Sequence, residues 1–444
     1  MARKADGGMF VPEAEQPYKI PQNWRWANIG AVADLYTGNS INEKVKKQKY
    51  EGNSEGYLYI STKDIGFDSV INYETNIRIP EQDSFKVAPP DTALLCIEGG
   101  SAGRKIGFVN QAVCFVNKLC AFRTATVHSK YVFYFLQTHC FESQFLAKKH
   151  GLIGGVPIKA LSTSIIPIAP LAEQQRIVER IESLFTKLDA AREKAREVVD
   201  GFELRKAAIL HRAFTGELTE QWRANNGASS GRKTVTIASV CHSLKYGTAK
   251  KSAKAGNVVV LRMGNLQGGE IDWSNLAYSN DEEDNEKYSL SPGDVLFNRT
   301  NSPELVGKTS IYRGEFPAIY AGYLIKLDYN RDIISGEYLN YMLNSPEAKE
   351  YCKTVKTDGV NQSNINAKRI GAFLIPLPSL NEQKETEKRL QSILRKQLQV
   401  SETAQQVIDN IDAMKRAILG RAFRGELGTN DPSEASPDFA VTVR

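Results

Sequence analysis

The sequence predicts a mixed α/β protein with an internal pseudo-twofold repeat. Two globular modules alternate with two long helices that pair antiparallel as a coiled coil. Three observations predict this. The first is that the second half of the 444 residues repeats the first. Pro167-Ile168-Ala169-Pro170-Leu171-Ala172-Glu173-Gln174 opens a helical pattern that closes at Arg212-Ala213-Phe214-Thr215-Gly216-Glu217-Leu218. Pro376-Leu377-Pro378-Ser379-Leu380-Asn381-Glu382-Gln383 opens another, closing at Arg421-Ala422-Phe423-Arg424-Gly425-Glu426-Leu427, and both ends are offset by 209 residues. The second is apolar spacing in alternate steps of four and three within these segments, the pattern of a coiled-coil seam. The third is a set of short β-rich runs between Gly, Pro and Asn turns in the remainder.

Taken in order, residues 1–165 form the first module, with 1–17 polar and expected to be flexible. Tyr57 to Ser61 and Cys114 to Arg123 read as strands, and Ser129 to His150 as a helix with Tyr131, Phe135, Phe141 and Leu146 on one side. Residues 166–219 form the first helical spacer, with a seam of Ile177, Ile181, Leu184, Leu188, Val198 and Phe202 and alanines between. The polar stretch 220–232 reads as a linker. Residues 233–375 form the second module, with strands at Val258 to Arg262 and Ile319 to Leu327 and a helix near Ser335 to Val355. Residues 376–428 form the second spacer, where Leu390, Ile393, Val400, Val407 and Ile411 continue the seam and Thr386 and Gln397 interrupt it. Residues 429–444 are expected to be a disordered tail. A helix of about 40 residues spans ~60 Å and needs a partner for its single apolar stripe. The partner at hand is its own copy, and antiparallel pairing puts one module at each end.

The two kinds of segment repeat differently. Ile29-x-x-Val32 and Leu35-x-x-Gly38 recur as Ile237-x-x-Val240 and Leu244-x-x-Gly247, and Pro90 to Leu95 recurs as Gly293 to Phe297. The offset in the modules drifts with loop length, whereas in the spacers it stays constant.

Net charge is +6 and the isoelectric point about 8.8, compatible with a polyanion partner without requiring one. Cys96, Cys114, Cys120, Cys140, Cys241 and Cys352 show no zinc spacing and read as reduced thiols. No run of about 18 apolar residues suggests a membrane span, so a soluble, cytoplasmic protein is expected. His128, His139, His150, His211 and His242 are scattered and suggest neither a triad nor a metal set. Gly307-Lys308-Thr309 lacks the earlier glycine of a phosphate-binding loop, with Ser302 in its place. No catalytic residue and no metal site is expected in this chain.

What remains are cations and amides in matching loops of the two halves. Arg104 and Lys105 correspond to Lys308. Lys63 corresponds to the region of Arg262 and Asn265. Asn298, Arg299 and Asn301 follow a strand, and Lys245, Lys250 and Lys251 surround Gly247 as Lys44, Lys46, Lys47 and Lys49 follow Gly38. Arg and Lys suit guanine edges and phosphates, Asn suits adenine. These residues are the expected DNA contacts, although a solvated surface would look alike at any single position.

Ile20-Pro21-Gln22-Asn23-Trp24, the two Pro-x-x-x-Leu-x-Glu-Gln openings, the two Arg-Ala-Phe-x-Gly-Glu-Leu closings and Thr219-Glu220-Gln221-Trp222-Arg223 together resemble the specificity subunit of type I restriction–modification systems. The resemblance covers nearly the whole chain. It implies two target-recognition domains, each reading half of a bipartite site in double-stranded DNA, and an antiparallel coil that sets the gap. It implies two docked modification subunits that use S-adenosylmethionine to methylate adenine, and two restriction subunits that use ATP and Mg for cleavage. No cofactor is implied in this chain. Asn381 in place of Ala172, and the missing Trp-Arg after Leu427, imply unequal partner contacts. A self-sufficient methyltransferase or nuclease, or a coiled-coil protein scaffold, are the other readings of the residues. With one turn of DNA at about 34 Å, half-site centres about one turn apart are expected.

Overall fold

The structure, a computed structural model, describes residues 10–149, 151, 154–227, 232–360 and 362–437. The chain divides into two compact units. Unit 1 comprises residues 1–195 and 406–444, and unit 2 comprises residues 196–405.

Unit 1 holds two four-stranded sheets. In the first, Ala33–Thr37 pairs with Leu119–Thr124, which pairs with Thr92–Cys96, which pairs with Ile106–Val109, all antiparallel. In the second, Tyr57–Ile60 runs parallel to Val113–Phe115. Leu94, Cys96, Ala121 and Phe115 close the space between them. Unit 2 repeats the first sheet strand for strand and the second with three strands in place of four. Cys241–Tyr246, Leu324–Tyr329, Val295–Asn298 and Thr309–Ile311 form the antiparallel sheet, and Val258–Leu261 runs parallel to Ala318–Tyr320. A two-stranded antiparallel ribbon also recurs, Arg25–Asn28 with Ile165–Ile168 and Lys233–Thr236 with Leu374–Leu377. The recurring glycine has a steric cause. A Cβ at Gly38 would lie 1.8 Å from the Phe115 carbonyl oxygen, and one at Gly247 would lie 2.0 Å from that of Tyr320.

Each helix expected after the sheets turns a corner. Ser129–Phe135 and His139–Lys148 are separate, as are Gly336–Leu343 and Pro346–Val355. The hydroxyls of Thr138 and Ser345 accept from the Phe141 and Ala348 amides at 3.2 Å each, and cap the second helix of each pair. Tyr131, Phe135 and Phe141 are buried, but Leu146 is exposed, because the second helix turns Phe141 and Phe145 inward instead.

The long helices are Leu171–Asp200, Phe202–Thr215 and Leu380–Ala422. Their pairing is antiparallel in each unit. In unit 1, Lys415 meets Asp189 at 2.7 Å and Asp412 meets Arg192, three residues back on one helix and three forward on the other. In unit 2, Arg205 meets Gln397 and Arg389 meets the Leu218 carbonyl, again in opposite order. The first spacer is interrupted at Gly201, and the second is continuous. At the interruption the Arg205 guanidinium donates to Val198 O, and a Cβ at Gly201 would meet Arg205 Nη1 at 2.4 Å.

The expected seam is partly corrected. Ile177, Ile181, Leu390 and Ile411 are buried, and Leu184, Leu188, Val198, Phe202 and Ile393 are half-buried. Val400 and Val407 are 50% and 38% exposed, and Ser401 and Ile408 turn inward instead. Ala404 and Ile411 keep the expected register, so only the alternate seam positions move on by one residue.

The segments expected to lack order are bonded where they are described. Val11 N donates to Trp26 O at 3.0 Å. Glu220–Asn225 is helical within the expected linker. Arg176 makes a bidentate pair with Glu434, at 2.8 and 2.9 Å, beyond the last helix. Residues 1–9, 228–231 and 438–444, which complete these three segments, lie outside the described residues, as does His150.

Candidate nucleic-acid interface

The sequence motifs that recur most strictly build clasps. Glu173 is fully buried in unit 1 and accepts from Trp24 Nε1 at 2.8 Å and Asn430 Nδ2 at 2.9 Å. Its repeat partner Glu382, in unit 2, accepts from Thr219 Oγ1 at 2.9 Å, Arg223 at 2.7 Å and Arg232 at 2.5 Å. Burial alone would raise Glu382, but hydrogen bonds from Arg232, Arg223 and Thr219 hold it below the usual glutamate range. The neighbouring glutamines hold the next helix. Gln174 Oε1 accepts from His128 N, and Gln383 Oε1 accepts from Ser335 N, both at 2.9 Å. The closing phenylalanines exchange between repeats. Phe423 packs at a tilt against Tyr131 at 4.8 Å in unit 1, and Phe214 edge-on against Tyr338 at 5.3 Å in unit 2. Each unit is therefore closed by a motif from the other repeat.

The expected contacts sort into three groups. Asn265 and Asn298 are withdrawn from any base. Asn265 is 3% exposed, donates to Asp272 O and Asn275 O, and accepts from Arg262 N at 2.9 Å. This is the turn that Asp64 caps in unit 1, where its carboxylate accepts from Ser61 N at 2.7 Å. Asn298 is fully buried at the end of its strand and accepts from Thr300 N. Their amide side chains hold turns, which sequence position alone does not reveal.

A second group is neutralised. Lys245 pairs with Asp328 at 3.2 Å, and Lys250 with Asp281 at 2.8 Å and Asp284 at 3.4 Å. Asn301 accepts from Ser302 N at 2.8 Å through its side-chain oxygen, which leaves its amide group for an acceptor.

The third group consists of cations that make no ion pair among the described residues. In unit 2 a cup holds Arg262, Asn275 and Tyr323. Arg262 Nη2 donates to Asn275 O at 3.0 Å. Arg299 N donates to Tyr323 O, and the Arg299 guanidinium stacks over Tyr246 at 4.7 Å. Arg262, Tyr323, Arg299 and Tyr246 thus form a strip of alternating cations and rings. Lys308 bonds only the neutral Gln267 side chain, at 2.9 Å, and Lys251 is exposed and makes no ion pair among the described residues. In unit 1, Arg104 and Lys105 lie over Phe67 at 5.4 and 5.1 Å, and Lys105 donates to Thr62 O at 3.1 Å. Lys63 is exposed beside Lys46, Lys47 and Tyr59, with Glu43 and Glu74 in the same hollow. Phe67, Tyr246 and Tyr323 are 65%, 40% and 37% exposed. They were missed in sequence, where a loop aromatic reads as core.

The six cysteines are free thiols. Burial pushes Cys120 and Cys352 up to about 12. Among the described residues no group of three or more His, Cys, Asp and Glu side chains could hold a metal, and no helix is long and apolar enough to cross a membrane.

Comparisons place this arrangement. The family described as type I restriction modification DNA specificity domain matches residues 21–198 and again residues 230–410. The chain is 24% identical to the EcoKI specificity subunit of Escherichia coli K12 over 435 residues, covering 95% of this chain and 92% of that one. It is 32% identical to a putative MjaX specificity subunit of Methanocaldococcus jannaschii over 179 residues, 39% of this chain and 40% of that one. In fold it resembles the HsdS subunit of Thermoanaerobacter tengcongensis, with a TM-score of 0.65 and 19% identity over 93% of this chain and all of that one. With both halves matched, the chain belongs to the type I restriction–modification DNA specificity family.

Proposed function

We propose that this chain is the non-catalytic DNA-recognition subunit of a type I restriction–modification complex. Residues 1–165 and 233–375 act as its two recognition domains, and each reads one half of a bipartite site in double-stranded DNA. The antiparallel helices set the gap, with half-site centres about one DNA turn apart. Modification subunits dock on the chain and methylate adenine with S-adenosylmethionine. Restriction subunits add ATP- and Mg-dependent cleavage, and the assembly works in the cytoplasm.

One observation supports this reading above the rest. Two units with the same strand order present different exposed side chains at their loops. A shared scaffold with unlike loops is what reading two different half-sites requires, since base contacts specify sequence while phosphate contacts position the protein. The test mixes the chain with its modification subunit, labelled S-adenosylmethionine and a DNA library. Site-specific transfer to adenine is expected, and none from the chain alone. Absence of site-specific transfer with both partners folded overturns the proposal.

A further inference from the structure

In unit 2 a groove runs beside the helix Phe202–Thr215. We infer that it holds the sugar–phosphate backbone of double-stranded DNA just outside the bases that unit 2 reads, with Lys206, Lys308 and Lys349 as phosphate contacts. This rests on the recognition function proposed above and adds a helix of the coil to the DNA surface.

Lys206, Lys308, Lys349 and Lys353 line the groove against two carboxylates, Glu203 and Glu304. Glu350 holds Lys353 at 3.2 Å, which leaves three lysines. Lys308 donates to Gln267 Oε1 at 2.9 Å, and Gln267 Nε2 donates to Gly264 O at 2.9 Å. Gly264 belongs to the cup of Arg262 and Tyr323. Lys206 stands across from the same turn, with its Nζ 3.9 Å from where a Cβ on Gly268 would sit. Cations therefore follow one another from the base-reading strip to the helix. Like charges gathered on one wall repel, and an anion among them offsets that cost. Duplex DNA supplies one negative charge per ~1.7 Å of its axis.

Unit 1 provides the contrast on the same scaffold. Lys415, the counterpart of Lys206, is bound to Asp189 at 2.7 and 2.8 Å and lies over Phe185 at 4.9 Å. The counterparts of Asp189 and Phe185 in the other repeat are Leu398 and Leu394, so the acid and the ring that hold Lys415 do not recur for Lys206. In the unit 1 groove Arg192 is likewise tied to Asp412. That groove is neutralised and partly aromatic, whereas the one in unit 2 is cationic.

The test measures affinity against salt for the full chain assembled with its modification subunits. Two duplexes are used, one carrying the sequence it methylates and one unrelated. The double variant Lys206→Gln, Lys349→Gln should lower the slope of log affinity against log salt by about two on both duplexes, at ~0.9 per phosphate. The methylated sequence should not change, and Lys415→Gln should leave the slope as it is. An unchanged slope in the double variant, or an altered methylated sequence, overturns the inference. Should the wild-type assembly methylate no specific site, the recognition function itself fails instead. Should the double variant misfold, neutral methylphosphonates placed in wild-type sites decide the matter. Weaker binding is expected when they flank the unit 2 half-site, and unaffected binding overturns the inference.

Discussion

Glu173 and Glu382 occupy the same place in the two repeats and are both buried, yet one is held by neutral donors and the other by two arginines. The grooves beside the helices differ in the same sense, neutralised in unit 1 and cationic in unit 2. What the duplication preserves is geometry: the strand order, the antiparallel direction of the helices and the exchange of closing motifs. What it varies is charge. A recognition protein that must hold two readers on one frame and have them read different sequences needs this division.

Losing its clasp carboxylate should destabilise unit 2 more than unit 1. Glu382→Ala leaves Arg223 and Arg232 largely buried without a counter-charge, a loss of about 3–5 kcal/mol. Glu173→Ala leaves only neutral donors unpaired, a loss of about 1–3 kcal/mol. Urea unfolding of both variants should rank them in that order, and equal losses would mean that the arginines contribute nothing beyond a neutral clasp.

Arg299 tests whether the strip in unit 2 reads bases. Its ring stacking and its backbone bond to Tyr323 hold it in place. Arg299→Ala should cost about 1–3 kcal/mol of binding and relax one position of one half-site, a G·C pair by the preference of arginine for guanine edges. The other half-site should remain intact. Sequencing of methylated DNA reads both effects, and relaxation in both half-sites would contradict separate readers.

The smallest expected effect is on pH dependence. Because its folded-state ionisation lies below the ordinary glutamate range, Glu382 stabilises unit 2 fully above about pH 4.3. That stability is lost as pH falls through the lower folded value. Acid unfolding followed by circular dichroism should therefore show a steeper loss in the wild type than in Glu382→Gln. Identical acid limbs would count against the charged clasp.

The duplicated plan was legible in the sequence because geometry that must be kept leaves residues that recur. Gly38 and Gly247 recur because a carbonyl oxygen leaves no room for a Cβ, and the Glu-Gln pairs recur because each glutamine holds the next helix. The contacts were less legible, because exposure is a tertiary property. Asn265 and Asn298 look like loop amides and are buried in turns, while Phe67, Tyr246 and Tyr323 look like core and face outward. The seam was legible in its type but slipped by one residue at Val400 and Val407, while Ala404 and Ile411 kept the expected register. Lys206 could have been found by comparing the repeats, since its counterpart's partners Asp189 and Phe185 have become Leu398 and Leu394.

We propose that two unlike readers are held at a distance set by the paired helices. The most direct measurement inserts seven residues at matched levels in Leu171–Asp200 and Leu380–Ala422 and sequences the DNA methylated with the modification subunit. Seven residues lengthen a helix by ~10 Å, about three base pairs at ~3.4 Å each. The same two half-site sequences are expected, separated by a gap about three base pairs longer. The original gap, methylated by the lengthened chain, would contradict the proposal.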